Sequence, residues 1–148
     1  MHTLVNGLRI ALAAGVLLAA GASLADHQRV VQGYVVNIGV TPIASLASIG
    51  AEGEIHASRP QSGAQHVMVS ISDARTGRHV DSARVAVDVV DPKGTVQRKD
   101  LLLPFTGEVP DYSETFVFGW SGRYRIHVTV RSADGKSMQT EFTWYHKV

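Results

Sequence analysis

Cysteine is absent from the chain, and that absence removes several chemistries together. Without it there is no disulfide frame, no thiol nucleophile, no Cys-ligated zinc and no iron–sulfur site. Charge of one sign is equally scarce, with 14 Lys+Arg against 13 Asp+Glu and a formal net charge of +1. Such a chain has no long-range field to hold a polyanion, so nucleic acid is not expected as a partner. Charged residues are 18% of the total and hydrophobic ones 45%, which argues for a packed core over disorder. Catalytic signatures are missing too: no G-x-S-x-G turn, phosphate loop or H-E-x-x-H stands in the sequence. Asp73, Asp91 and Asp134 fall in predicted turns and Asp88 on an outward strand position, where turn formation or solvation explains them. The sequence therefore predicts a protein that is not an enzyme.

Long apolar runs are rare, and the one near the start has the form of an export signal. Arg9 precedes an apolar stretch, Ile10 to Ala20, and Ser23-Leu24-Ala25 closes the segment with small residues at the cleavage-site positions. That stretch is too short to span a bilayer of about 30 Å comfortably. Residues 1–25 are therefore expected to be a signal peptide cut after Ala25. The mature protein would be exported, periplasmic and without stable membrane insertion. The remaining residues, 26–148, suffice for one domain that stands without disulfides.

Composition and alternation give that domain its class. Residues 26–148 hold 18 Val and 8 Thr but only 4 Leu, a bias toward side chains that suit a pleated surface. Val30 to Val40 reads as one strand, with Tyr34, Val36, Ile38 and Val40 on one face. Val67, Val69 and Ile71 alternate with His66, Met68 and Ser70; Val85, Val87 and Val89 alternate with Arg84, Ala86 and Asp88. Leu101, Leu103 and Phe105 share a face, as do Phe116 and Phe118. Tyr124, Ile126, Val128 and Val130 oppose a row of Arg, His and Thr, and Phe142 and Trp144 point inward in a last strand, Met138 to Tyr145. Turn signals at Asp73 to Gly77, Asp91 to Gly94, Gly119 to Gly122 and Asp134-Gly135 separate them. About seven short strands so spaced predict an all-β, immunoglobulin-like β-sandwich. Residues 41–65, rich in Ala, Ser and Gly, read as a long loop with one helical turn near Pro42 to Ala47.

Histidine and methionine supply the candidate site. His66-Val67-Met68 places an imidazole and a thioether on one face of a strand, a soft donor pair suited to copper, especially Cu(I). Immunoglobulin-type wiring would bring His56, His66, Met68, Trp120, Tyr145 and His146 to one end and His27 and His79 to the other. The candidate metal ligands are thus His66 and Met68, with His56 or His146 as a third. Cleavage after Ala25 would create a second candidate: the free amine of Asp26 beside His27, with His79 from a nearby turn. Trp120, in the turn Gly119-Trp120-Ser121-Gly122, either caps the core or contacts a partner. Two functions remain: a non-catalytic module, without cofactor, that contacts an envelope protein through the sandwich ends or the long loop, and a protein that binds or carries copper.

The segments His66 to Asp73, Thr76-Gly77, Asp81 to Val85, Leu103-Pro104-Phe105, Gly122 to Val128 and Phe142 to His146 resemble small exported bacterial proteins with a YtkA-like immunoglobulin-type domain. The resemblance covers about residues 64–146. It implies a sandwich fold, export, and in some relatives copper or iron handling at the envelope. Two features depart from that pattern. Phe105 stands where the family commonly has Met after the Pro of the fourth strand, and the loop before the second strand offers only His56.

Overall fold

Alternating apolar residues build two four-stranded antiparallel sheets that pack face to face. The structure is a computed structural model and describes residues 27–48, 61–103 and 111–148. The expected signal peptide, His56 and Phe105 lie outside the described residues. In chain order the elements are β1 (Gln28–Val31), β2 (Tyr34–Pro42), α1 (Ile43–Ser48), β3 (Ala64–Asp73), β4 (Arg84–Val90), β5 (Val96–Leu101), β6 (Tyr112–Val117), β7 (Gly122–Arg131) and β8 (Ser137–His146). One sheet has the order β1-β2-β3-β6 and the other β5-β4-β7-β8. This is the predicted β-sandwich, with immunoglobulin-like wiring.

The inward sets match the alternation. Val36, Ile38, Val40, Val67, Val69, Ile71 and Phe116 from the first sheet meet Val85, Val87, Val89, Tyr124, Ile126, Val128 and Phe142 from the second. Phe118 and Tyr124 stack with ring centroids 4.3 Å apart. The Tyr124 hydroxyl donates to Trp120 O (3.0 Å) and accepts from Trp120 N (3.1 Å), a tyrosine corner that ties the turn to the start of β7. Burial is the main reason its phenol is held above the usual pKa. Tyr112 works similarly, joining Ala83 N and Val80 O at 3.0 Å each. The turn aspartates serve the turns: Asp73 Oδ1 accepts from Arg75 N and Thr76 N, and Asp91 Oδ1 from Lys93 N and Thr95 N.

Three readings need correction. Val30 to Val40 is not one strand but a hairpin, β1 and β2, turning at Gln32-Gly33, so the described residues form eight strands. Both turn residues have positive φ, 49° and 83°, the two-residue turn whose twist suits adjoining strands. The strand predicted around Leu101 to Phe105 instead begins at Val96 and ends at Leu101, because an edge strand that buries little need not alternate. Residues 41–65 are not all loop: Thr41 and Pro42 complete β2, α1 follows where the helical turn was expected, and Ala64 and Gln65 open β3. Pro42 has no N–H to extend the ladder, and the chain turns into α1 there.

The flank between the sheets is closed at β6, whose outer edge is fully engaged. Leu102 and Ser113 exchange backbone bonds of 3.1 and 2.8 Å. Lys99 Nζ donates to Thr115 O (2.6 Å), and Thr115 N donates to the Glu114 carboxylate (2.7 Å). The Gln97 side-chain amide does both remaining jobs, donating to Val117 O (2.7 Å) and accepting from Val117 N (3.0 Å). A single side chain thus takes the place of a neighbouring strand and blunts an edge that would otherwise template aggregation.

Candidate metal centre

His66 and Met68 sit on β3 with their side chains on the face turned away from the sandwich core, since Val67 and Val69 point into it. Register sets their neighbours: His66 lies between Thr41 of β2 and Thr115 of β6, and Met68 between Gly39 and Ser113. Although it faces outward, His66 is only 2% exposed, and Met68 is half-buried. Helix α1 contacts β2 and β3 beside them, with Ile43 and Leu46, three residues apart on one helical face, both buried.

Two further features shape this spot. A Cβ placed on Gly39 would lie 3.3 Å from Met68 Cε, a tight contact, so the glycine leaves the Met68 methyl room to rest over β2 without shifting. Thr115 Oγ1, on the strand opposite His66, is buried and has no hydrogen-bond partner among the described residues. A buried hydroxyl without a partner is costly, so the position suits a water or another polar occupant. Neither Gly39 nor Thr115 was singled out from the sequence; only cross-strand register reveals them.

The other candidate ligands are placed as follows. His146 shares an end with His66 but points inward from the second sheet, edge-on to Phe118 (centroids 5.6 Å apart) and Tyr124 (6.1 Å). The first sheet therefore stands between the two imidazoles. His56 is outside the described residues. His27 is not at the far end: the β1–β2 turn carries it back, and its ring lies 5.3 Å from that of Trp144. His79 bridges to Ser72 of β3, three strand positions from β1. At about 4.8 Å per strand spacing the two cannot share an ion. Among the described residues no three His, Cys, Asp or Glu side chains gather as a ligand set. Trp120 is 49% exposed, with Lys93 Nζ 3.0 Å from its ring centroid, so it is a surface aromatic held by a cation rather than a core cap.

Across the outer face of the second sheet runs a row of paired polar groups. Arg98 clasps Asp88 through Nε and Nη2 (2.6 and 2.5 Å), and His127 Nδ1 lies 3.1 Å from Glu141 Oε2. The Arg98 guanidinium holds the Asp88 carboxyl below the usual carboxylate range.

Comparison with known proteins bears on the fold. No family model and no curated sequence matches the chain. Solved structures do. A DUF4426 family protein from Pseudomonas aeruginosa superposes with a TM-score of 0.63 at 12% identity, covering 80% of this chain and 94% of that one. Uropathogenic Escherichia coli FetP gives 0.61 at 9% identity, covering 80% and 91%. A copper-bound variant of Campylobacter jejuni P19 gives 0.61 at 10%, covering 81% and 93%. At such identities the likeness is one of fold, extending over nearly the whole length of each neighbour.

Proposed function

We propose that this is an exported, periplasmic copper-binding protein whose site is built on His66 and Met68. The observation that carries it is the pair itself: an imidazole and a thioether two residues apart on one strand face, the imidazole buried and the thioether half-buried, with no side chain on Gly39 to crowd the Met68 methyl. The donor set is soft and suits Cu(I), while oxygen-seeking cations find no carboxylate cluster among the described residues. Copper-bound structures among the fold neighbours and the YtkA-like resemblance support the same reading. The third ligand is assigned to His56, because His146 lies on the wrong side of the first sheet. No catalytic step is part of this proposal.

Competition titration of the purified protein with Cu(I), alongside Zn(II), tests it. One Cu(I) should bind far more tightly than about 1 μM. Met68→Leu, which keeps volume but removes sulfur, should abolish that affinity with little change in thermal unfolding. His66→Gln and His56→Ala should also weaken it, and His146→Ala should not. Binding no tighter than micromolar, or binding indifferent to Met68→Leu, overturns the proposal.

The alternative, a module contacting an envelope protein, has its own observation. Trp120 and Tyr145, 49% and 75% exposed, both lie at the end of the sandwich where β7 starts and β8 finishes. Cross-linking from Trp120 in the envelope would capture a defined partner if that reading holds, and only random neighbours if it does not.

A further inference from the structure

The outer face of the sheet β5-β4-β7-β8 carries a second arrangement that the copper reading does not use. In the polar row already described, Arg98, Asp88, His127 and Glu141 stand opposite one another in register, each cation or imidazole beside a carboxylate. Two residues along, small side chains face each other, Ala86 and Thr129. Two residues beyond that, Arg84 stands directly opposite Arg131. Like charges opposed across an antiparallel pair repel, with Cβ atoms about 5 Å apart. Neither guanidinium has an ion pair or hydrogen bond with any described residue.

These two arginines line a groove of about 620 Å3, within the usual range of small-ligand sites. Ala86 and Thr129 contribute to its lining, and Leu102 and Leu103 add apolar surface; Leu102 is half exposed. Two carboxylates also line it. Asp88 is already engaged by Arg98, which leaves Asp100 to offset one of the two unpaired cations.

We propose that this groove binds a small organic monocarboxylate, its carboxylate bridging Arg84 and Arg131 and its apolar body against Leu102 and Leu103. Guanidinium forks match a carboxylate in two-point geometry, and an anion between them turns a repulsive cross-strand pair into an attractive one. Phosphate would satisfy the forks equally. The apolar lining and the single surplus charge favour an organic monoanion.

The test is an NMR titration of the purified protein with sodium hexanoate, hexan-1-ol and inorganic phosphate, read at the backbone amides. Hexanoate should give saturable shifts at Ala86, Thr129 and Leu102 with a Kd of about 1 mM or tighter. Hexan-1-ol should not saturate, and phosphate should bind more weakly than hexanoate. Arg84→Gln and Arg131→Gln should each weaken hexanoate roughly tenfold, the loss expected for one charged contact. Both positions are exposed, so the variants should fold, with thermal midpoints at or above that of the parent. Failure of hexanoate to saturate, equal binding by either variant, or phosphate binding as tightly as hexanoate overturns the assignment.

Discussion

Gln97 offers the sharpest test of how this sandwich is held closed. Its amide bridges from β5 to β6, making two hydrogen bonds, of 2.7 and 3.0 Å, to the carbonyl and N–H of Val117. Gln97→Ala removes both and leaves two backbone groups on the outer edge of β6. A typical bond of this kind contributes about 1 kcal/mol net, and both sites are half-buried, so water replaces only part of the loss. The expected destabilisation is about 1.5–2 kcal/mol. For a domain of this length that corresponds to a fall of roughly 5–8 °C in Tm. Lys99→Ala is the internal control: its bond to Thr115 O comes from an exposed, flexible ammonium, and its removal should cost less than about 0.5 kcal/mol. Urea unfolding supplies the free energies, and hydrogen exchange at the Val117 amide supplies the local readout. In Gln97→Ala that amide should lose protection while those of the buried strand β7 keep theirs. The variant should also aggregate sooner on concentration, since β6 then presents an open edge. Should Gln97→Ala cost no more than Lys99→Ala, or leave Val117 protected, the edge is not held by this side chain and the reasoning fails.

Three other outcomes are expected. Gln32, with φ of 49°, occupies a left-handed position that glycine adopts without strain, so Gln32→Gly should raise stability by about 0.5–1 kcal/mol in urea unfolding. Tyr124→Phe keeps the ring stack on Phe118 but strips both bonds from the Trp120 backbone; a loss of about 1–3 kcal/mol, with freer Trp120 fluorescence, should follow. The carboxyls of Asp73, Asp88 and Asp134 are all held below the ordinary value, chiefly by Thr76, Arg98 and Ser132 respectively. A depressed folded-state pKa gives stability that is present above the unfolded value near 3.9 and lost as pH falls through the folded one. Unfolding midpoints should therefore decline as pH falls below about 4, and Asp73→Asn should shallow that decline.

Alternation made the buried strands legible because each must present one face to a shared core. β3, β4 and β7 are of this kind, and their inward residues are the ones the pattern named. It failed where that requirement lapses. β5, with the sequence Val-Gln-Arg-Lys-Asp-Leu, buries only Leu101, so nothing in its polarity separates it from a loop. The β1–β2 turn was invisible for a different reason: Val30, Val31 and Val35 carry apolar character straight across it. Gln-Gly is also a weaker hairpin signal than Asn-Gly or Asp-Gly, because glutamine pays to enter positive φ.

That hidden turn also explains how much of the site was readable. Reversing the chain at Gln32-Gly33 moves His27 from one end of the molecule toward the other, beside Trp144, and no count of residues along a single strand could foresee it. His146 shows a second limit. Sorting residues by the end of the sandwich was correct for His66, Trp120 and His146, but an end contains three separate layers: two outer faces and the interior between them. His66 belongs to an outer face, His146 to the interior, and a whole sheet of backbone separates them. Parity along a strand, by contrast, is fixed by the pleat, so the pairing of His66 with Met68 survives any error in topology. The copper proposal accordingly rests on that pair, with Gly39 leaving the Met68 methyl uncrowded.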